Sequence, residues 1–200
     1  MTVNELTLPA AAPAPAWLAA EMPPGYQTRL FEIRRLSSEL EEMDAIGRVL
    51  WESGATLMEA VAAVFRALEC ELDAGPGTAG SIPARLGPSR RLLLVGSSNA
   101  GPTRRTDEEL ARAFQAVQFA TEGDRVVLVP GNDREKPPAS RPDPVLPEAL
   151  DILERMGVNV LPTAAVFRLW RLSLEDRAKA RKALEQLHAQ DGGLFVLPVR

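Results

Sequence analysis

Apolar side chains recur at intervals of three and four residues in the first half of the chain, between about Thr28 and Glu52. The positions with this spacing are Leu30, Ile33, Leu36, Leu40, Met43, Ile46 and Leu50. The spacing places them on one face of an α-helix, and the acidic residues between them fall mostly on the opposite face. The pattern therefore predicts one long amphipathic helix, which Ser53 and Gly54 end.

Two sequences of the type Thr-x-x-Glu indicate further helix starts, at Thr56 to Glu59 and at Thr106 to Glu109. In such a capping box, the hydroxyl and the carboxylate each accept a hydrogen bond from a free backbone N–H group. Apolar residues at helical spacing follow both boxes. The same periodicity predicts three later helices, over about 148–156, 164–172 and 175–190.

Short apolar runs lie between these predicted helices. The runs over 92–95, 126–129 and 158–161 are dominated by Leu and Val, which is typical of strands that are buried on both faces. We also expect a short strand around Cys70–Leu72, a loop rich in Gly and Pro through Pro88, and a last apolar segment over 194–197. Helices that alternate with buried strands predict an α/β domain with a parallel or mixed sheet.

The composition is that of one globular domain, because 46% of the 200 residues are hydrophobic. Residues 1–25 are rich in Pro and Ala and are expected to form a flexible lead, which Trp17 and Leu18 could anchor. The domain prediction is a single unit over 26–200, with a long N-terminal helix over 26–54 and a core over 55–200.

Charge and cysteine content exclude several classes of protein. The net charge is −4, and residues 1–75 carry five basic and twelve acidic side chains, so an even basic coat for nucleic acid is absent. The single cysteine, Cys70, excludes an internal disulfide and a cysteine-based zinc site, and its neighbours predict a buried hydrophobe. Because the chain has neither a membrane-spanning apolar run nor a basic leader, we expect a cytoplasmic protein. Its Ala-, Arg- and Pro-rich composition favours a bacterial source.

Several short sequence motifs, in a fixed order along the chain, resemble those of a known protein superfamily. Leu50–Val61 is similar to L-[YW]-E-x-G-x-x-L-E-x-A-V, and Asn132–Arg141 is similar to N-x-x-R-x-x-P-P-x-x-R. A Leu-x-Thr phrase at Leu161–Thr163 and a Phe-x-Leu-Trp phrase at Phe167–Trp170 follow. Together they resemble a bacterial branch of the PD-(D/E)xK, or restriction-endonuclease-like, superfamily over roughly residues 17–175. The resemblance implies a mixed sheet flanked by helices, with an N-terminal helical extension.

The chain departs from this family where the family performs its chemistry. The resemblance implies an Asp near the start of one strand and an acid-x-Lys sequence on the next, which together hold a divalent ion and orient the hydrolytic water. The corresponding regions are Ser81–Ala84 and Leu92–Ser98, and neither contains an acid or a lysine. Because Mg²⁺ prefers carboxylate oxygens, we expect no metal, no cofactor and no catalytic activity.

The resemblance implies that Glu52 is the one acid still present in this chain among those near the family's metal ion. If the catalytic acids have migrated, Asp73 and Asp107 are the nearest replacements along the chain. The alternative for Glu52 is a carboxylate bonded to local backbone at a helix end. The alternative for Asp107 is a first-turn acid that the helix dipole favours.

Cationic side chains provide candidates for anion or nucleic-acid binding. They are Arg104, Arg105, Arg134, Arg141, Arg168, Arg171, Lys179 and Lys182. The loop Gly96–Gly101 between a strand and a helix could cradle an anion, although it lacks the P-loop lysine, and an ordinary polar turn is the alternative. For the cations on the late helices, the alternative is a charged helix face that is only solvated. For the Arg134–Arg141 loop, the alternative is structural: its Asn and Arg side chains bond to backbone. His188, the only histidine, is expected to be a solvated side chain.

The long N-terminal helix suggests a different kind of site. Its apolar stripe could pair with a second copy or with a partner's helix, which makes Trp17, Leu36, Leu40 and Met43 candidate partner-binding residues. Packing against its own domain is the alternative. The leading hypothesis is an inactive nuclease-like module that binds protein as a scaffold or regulator. A nucleic-acid-binding pseudo-nuclease and a metal-dependent nuclease with migrated acids stay open as alternatives.

Overall fold

The computed structural model describes residues 21–73, 80–96 and 101–197. Trp17, and residues 97–100 of the predicted glycine-flanked loop, lie outside the described residues. The chain divides into two compact units, Met1–Glu42 and Met43–Arg200. The first unit contributes most of the N-terminal helix, and the second contains the sheet and the remaining helices.

Six α-helices and six strands lie within the described residues. The helices are α1 (Tyr26–Gly47), α2 (Gly54–Ala67), α3 (Glu108–Phe119), α4 (Pro147–Arg155), α5 (Thr163–Glu175) and α6 (Arg177–Ala189). The strands are β1 (Glu71–Leu72), β2 (Ile82–Gly87), β3 (Arg90–Gly96), β4 (Asp124–Val129), β5 (Asn159–Val160) and β6 (Gly193–Leu194). Short 3-10 turns follow α1 and precede α4, at Arg48–Leu50 and Pro138–Ser140.

The strands form one mixed sheet in the order β1-β2-β3-β4-β5-β6. The first three strands are antiparallel to one another, and β3 to β6 are parallel. The predicted α/β class with a mixed sheet and an N-terminal helix is therefore confirmed.

Helices cover both faces of this sheet. Alternate residues of β3 enter two different cores: Leu92 and Leu94 pack in the core that includes α2, α5 and α6, whereas Leu93 and Val95 pack in the core that includes α3 and α4. Because both faces are covered, β3 has no polar alternation, and its continuous apolar run follows from this arrangement.

The predicted long helix ends earlier than its apolar spacing indicates. α1 stops at Gly47, a weak helix former, and the chain continues as the 3-10 turn Arg48–Leu50. Ile46 and Val49 are buried in the α2-side core. The last apolar positions of the predicted helix thus belong to the core of the second unit.

Strand β2 lies where the sequence predicts a loop. Proline cannot donate a backbone N–H to a strand ladder, so Pro83 fits a strand only where no donor is needed. In the structure, the Pro83 carbonyl accepts the N–H of Asp73 at 3.2 Å, just beyond the end of β1. The missing N–H therefore falls where pairing with β1 ends, and the prediction of a loop through Pro88 is wrong for Ile82–Gly87.

Both predicted capping boxes are in the wrong register. Helix α2 begins at Gly54, whose φ of 58° lets the chain turn into the helix, so that Thr56 and Glu59 lie inside it. The N-cap of α3 is Asp107, one residue after Thr106. The helices themselves were predicted correctly from their apolar spacing.

Candidate functional site

The two segments in which the resemblance expects metal-binding acids lie side by side. Strands β2 and β3 are antiparallel neighbours, with Ile82 opposite Leu94 and Pro83 opposite Leu93. The start of β2 and the end of β3 therefore share one edge of the sheet. This edge is the candidate site, and its residues decide what chemistry it can support.

Apolar atoms fill this edge on the side that α2 covers. Leu94 is completely buried there, and Met58 of α2 packs against the same core. A Cβ atom placed on Gly96 would lie 2.2 Å from the Met58 sulfur and 2.7 Å from its Cγ. The Met58 side chain therefore occupies the space that a side chain at position 96 would need.

Glu52 lies in the turn between the 3-10 segment and α2 and is partly buried. Its backbone N–H donates to the Arg48 carbonyl at 2.8 Å. Its own carbonyl oxygen lies 3.9 Å from the position of a Cβ on Gly131, in the segment that follows β4. Glu52 is thus close to the exit of the parallel strand β4, in the second unit.

The two fallback acids are engaged in separate local interactions. Asp73 accepts a hydrogen bond from Arg85 Nε at 2.7 Å, and Asp107 accepts the backbone N–H of Arg104 at 2.7 Å. Within residues 21–73, 80–96 and 101–197, no group of three or more His, Cys, Asp or Glu side chains is arranged to hold a metal ion.

The loop that follows β4 is held by side chains that bond to backbone. Asn132 is buried and donates to the Pro142 carbonyl at 2.8 Å. Asp133, next to it, has a φ of 40°, a left-handed conformation that is uncommon outside glycine. The structural interpretation of this loop is confirmed for its asparagine.

Arg141 ties this loop to two other elements. Its Nε donates to the Lys136 carbonyl at 2.9 Å, its Nη2 to the Leu50 carbonyl, and its Nη1 to the Thr163 hydroxyl at 3.4 Å. Burial lowers the pKa of the Arg141 guanidinium, and the charge of Asp133 opposes that effect. Arg141, a predicted anion-binding candidate, therefore uses its donors within the fold.

A recess of about 590 Å³ lies beside this loop. It is lined by Trp51, Asp133, Arg134, Glu135 and Lys136. Two cations and two carboxylates leave its lining without net charge, and the Lys136 ammonium lies 3.4 Å from Asp133. Arg134 is a predicted anion-binding residue, but Trp51 was not predicted to join it, because the recess forms only when the turn before α2 meets the loop after β4.

The other cations are distributed over separate surfaces. Arg104 and Arg105 are exposed in the segment before α3. Arg168, Arg171, Lys179 and Lys182 are exposed on α5 and α6, and Lys179 lies 3.5 Å from Asp176. Nearby Arg177 pairs with Glu69 at 2.8 Å, so acids neutralise part of the positive charge on α6.

His188 differs from the expectation of a solvated side chain. It is partly buried, and its Nε2 lies 2.8 Å from the Gly123 carbonyl oxygen, which ties the end of α6 to the turn before β4. Cys70, in contrast, is buried as predicted. Burial raises the pKa of the Cys70 thiol to about 11, although the charge of Arg181 opposes the rise.

Four apolar residues of α1 are exposed at heptad spacing. Ile33, Leu36, Leu40 and Met43 each have at least half of their surface accessible. We call this set the α1 stripe. It contains three of the predicted partner-binding residues, Leu36, Leu40 and Met43.

None of the described helices is long and apolar enough to cross a membrane.

Comparison with known proteins assigns no family to this chain. No protein-family model matches it, and no significant match was found among curated proteins or solved structures. The functional argument therefore depends on the residues and the geometry described above.

Proposed function

We propose that this chain is a catalytically inactive, nuclease-like domain that acts as a protein-binding scaffold or regulator. The observation that carries the proposal is the contact between Met58 and Gly96. It supports an inactive site because the apolar side chain of Met58 fills the space beside Gly96, within the Leu92–Ser98 segment where the resemblance implies an acid and a lysine. Restoring a metal site there would require repacking of α2 against β3, not a single substitution.

The α1 stripe supports the binding part of the proposal. Exposed apolar side chains on one helix face are typical of surfaces that pair with another helix. Most residues between the stripe positions on α1 are charged, and their side chains keep the rest of the helix surface compatible with water.

The experiment that tests the inactive site is a cleavage assay with Mg²⁺ and with Mn²⁺. Plasmid DNA, single-stranded DNA and single-stranded RNA would be incubated with the purified chain and with Glu52→Ala. We expect no cleavage above background by either protein. Metal-dependent cleavage that the Glu52→Ala substitution removes would contradict the proposal and favour a nuclease with migrated acids.

A nucleic-acid-binding role is the second candidate, and one observation favours it. Arg168, Arg171 and Lys182 are exposed on neighbouring helices, and among the described residues the ion pairs of these helices involve other side chains, although Arg168 Nε also donates to the Ala164 carbonyl at 3.3 Å. Phosphate contacts weaken steeply with ionic strength. This role would be supported over the first by salt-dependent binding to DNA or RNA whose affinity is lower in the Arg168→Ala/Arg171→Ala variant.

A further inference from the structure

Two arginines of the loop after β4 differ in how their donors are used. Arg141 donates to two backbone carbonyls and to the Thr163 hydroxyl. Among the described residues, by contrast, no hydrogen bond or ion pair involves the Arg134 guanidinium, and its Nε is buried without a partner. A buried donor without an acceptor costs free energy, and most such groups in proteins are paired. The loop therefore keeps one arginine whose donors contribute no bond to the fold.

The neighbours of Arg134 hold the turn that presents it. The Asn132 side chain donates to the Pro142 carbonyl at 2.8 Å, and the Lys136 N–H donates to the Asp133 carbonyl at 2.8 Å. Between these two bonds, Asp133 has a φ of 40°, a conformation that costs free energy outside glycine and that clusters at functional sites. The position of Arg134 is thus fixed by other residues, and its guanidinium is left for another role.

The charges that line the recess of about 590 Å³ are not equivalent. Asp133 and Lys136 form an ion pair, with 3.4 Å between carboxylate and ammonium, so they largely cancel each other. Glu135 is exposed, and water screens its carboxylate, whereas Arg134 is partly buried. A charge that is shielded from water acts more strongly on a ligand than a fully hydrated one. The recess therefore favours an anion at Arg134.

Trp51 gives the recess an apolar wall. It is 55% exposed. Among the described residues, the ring contact is between Phe167 and Trp170, so the indole of Trp51 stacks on no other ring. An indole offers a flat face on which planar rings pack in an offset arrangement. The recess therefore combines a flat apolar face with a cation that has no partner.

We propose that this recess binds a small molecule in which a flat ring carries an oxyanion, either a carboxylate or a phosphate. The ring stacks on Trp51, and the oxyanion accepts hydrogen bonds from the guanidinium of Arg134, whose planar fork matches both kinds of oxyanion. The volume of the recess lies in the range of small-ligand sites. This inference goes beyond the proposed scaffold function and does not rest on it.

The first test is isothermal titration calorimetry of the full chain with matched probes. Indole-3-carboxylate and adenosine monophosphate each combine a ring with an oxyanion, whereas indole and acetate each have only one of the two. We expect saturable binding of at least one combined probe, and binding of indole and of acetate at least about tenfold weaker. The tighter of the two combined probes identifies the oxyanion as carboxylate or phosphate. No saturable binding of either up to about 10 mM, or equal binding of indole and indole-3-carboxylate, would overturn the inference.

The second test assigns the binding to the two residues. Arg134→Met keeps the aliphatic stem but removes every donor, and it should weaken binding of the tighter probe by about tenfold or more. Arg134→Lys keeps the charge without the planar fork and should recover only part of the affinity. Trp51→Leu should also weaken binding. The matched control is Arg105→Met, at an exposed cation outside the recess, which should leave affinity unchanged. Wild-type affinity in Arg134→Met would overturn the inference.

The third test separates a binding arginine from a structural one. Arg134→Met should leave the urea midpoint unchanged or raise it, because the fold loses only a charge without a partner. Arg141→Met, in the same loop, should lower the midpoint, because its donors hold backbone carbonyls. An equal decrease in both variants would show that Arg134 is structural and overturn the inference. Cleavage that depends on Glu52 would overturn the proposed function and leave this inference standing.

Discussion

At the scale of single residues, Gly96 and Met58 determine what the end of β3 can do. A glycine at the end of a buried strand leaves a gap, and the flexible thioether of Met58 fills it. Neither residue is charged, so their contact provides no ligand for a cation at the end of β3. The sequence shows that acids are missing from Leu92–Ser98, but it does not show that Met58 packs against the end of β3.

The fit between these two residues is testable by Gly96→Ala. The new methyl group would meet the Met58 sulfur, so the side chain must move, and we expect a loss of about 1 kcal/mol in the free energy of unfolding. The cost should shrink in a Met58→Ala background. Urea denaturation provides the measurement.

Gly47→Ala is the matched control, since nothing lies within 4 Å of a Cβ at Gly47. This substitution should leave stability unchanged or raise it. Equal stability of Gly96→Ala and wild type would show that the space beside Gly96 is open, contrary to the packing described here.

A second pair of residues stabilises the opposite edge of the sheet. Arg91 of β3 donates to both carboxylate oxygens of Asp124 of β4, at 2.7 and 2.8 Å, and the Thr121 N–H and hydroxyl also donate to Asp124. Burial alone would raise the pKa of Asp124, but these hydrogen bonds outweigh it, so the pKa lies below its ordinary value. The ionised form is therefore favoured in the folded state.

Asp124→Asn should cost about 2 kcal/mol at neutral pH, because Arg91 loses its charged partner. The lowered pKa fixes the sign of the pH dependence: the stabilisation is present above the unfolded-state pKa and is lost as pH falls through the folded-state pKa. The stability gap between wild type and Asp124→Asn should therefore narrow in acid. Urea denaturation from neutral to acidic pH measures the gap, and a gap that stays constant would contradict the pairing.

At the scale of elements, Arg141 connects three segments that are distant in sequence. Its guanidinium bonds to the 3-10 turn before α2, to the loop after β4 and to the start of α5. The recess beside Trp51 and Arg134 depends on this connection, because its walls belong to two of these segments.

Arg141→Ala should lower the free energy of unfolding by about 2 kcal/mol, since backbone carbonyls lose a charged donor. It should also speed amide hydrogen exchange over residues 131–146. Arg141→Lys retains the charge without the planar fork and should recover only part of the loss. Arg105→Ala, at an exposed cation, serves as the control, and exchange that is unchanged in Arg141→Ala would contradict the connection.

Local pattern predicted most elements, and long-range pairing explains the exceptions. Strands β3 and β4 were predictable because burial on both faces leaves continuous apolar runs. Strand β2 was not, because Pro83 is acceptable only where β1 ends. The recess beside Trp51 could not be predicted either, since no local pattern shows that residues 51 and 134 meet.

At the scale of the whole molecule, polar and apolar surfaces have separate positions. Apolar cores cover both faces of the sheet, and Met58 packs beside Gly96 at the end of β3. The exposed α1 stripe lies on the N-terminal helix.

The measurement that tests this account most directly is Mn²⁺ binding to the folded chain, followed by electron paramagnetic resonance of the free ion. A nuclease centre needs a divalent cation held by carboxylates. The account predicts no saturable site, and identical titrations for wild type and Glu52→Ala. A saturable site in wild type that Glu52→Ala removes would contradict it.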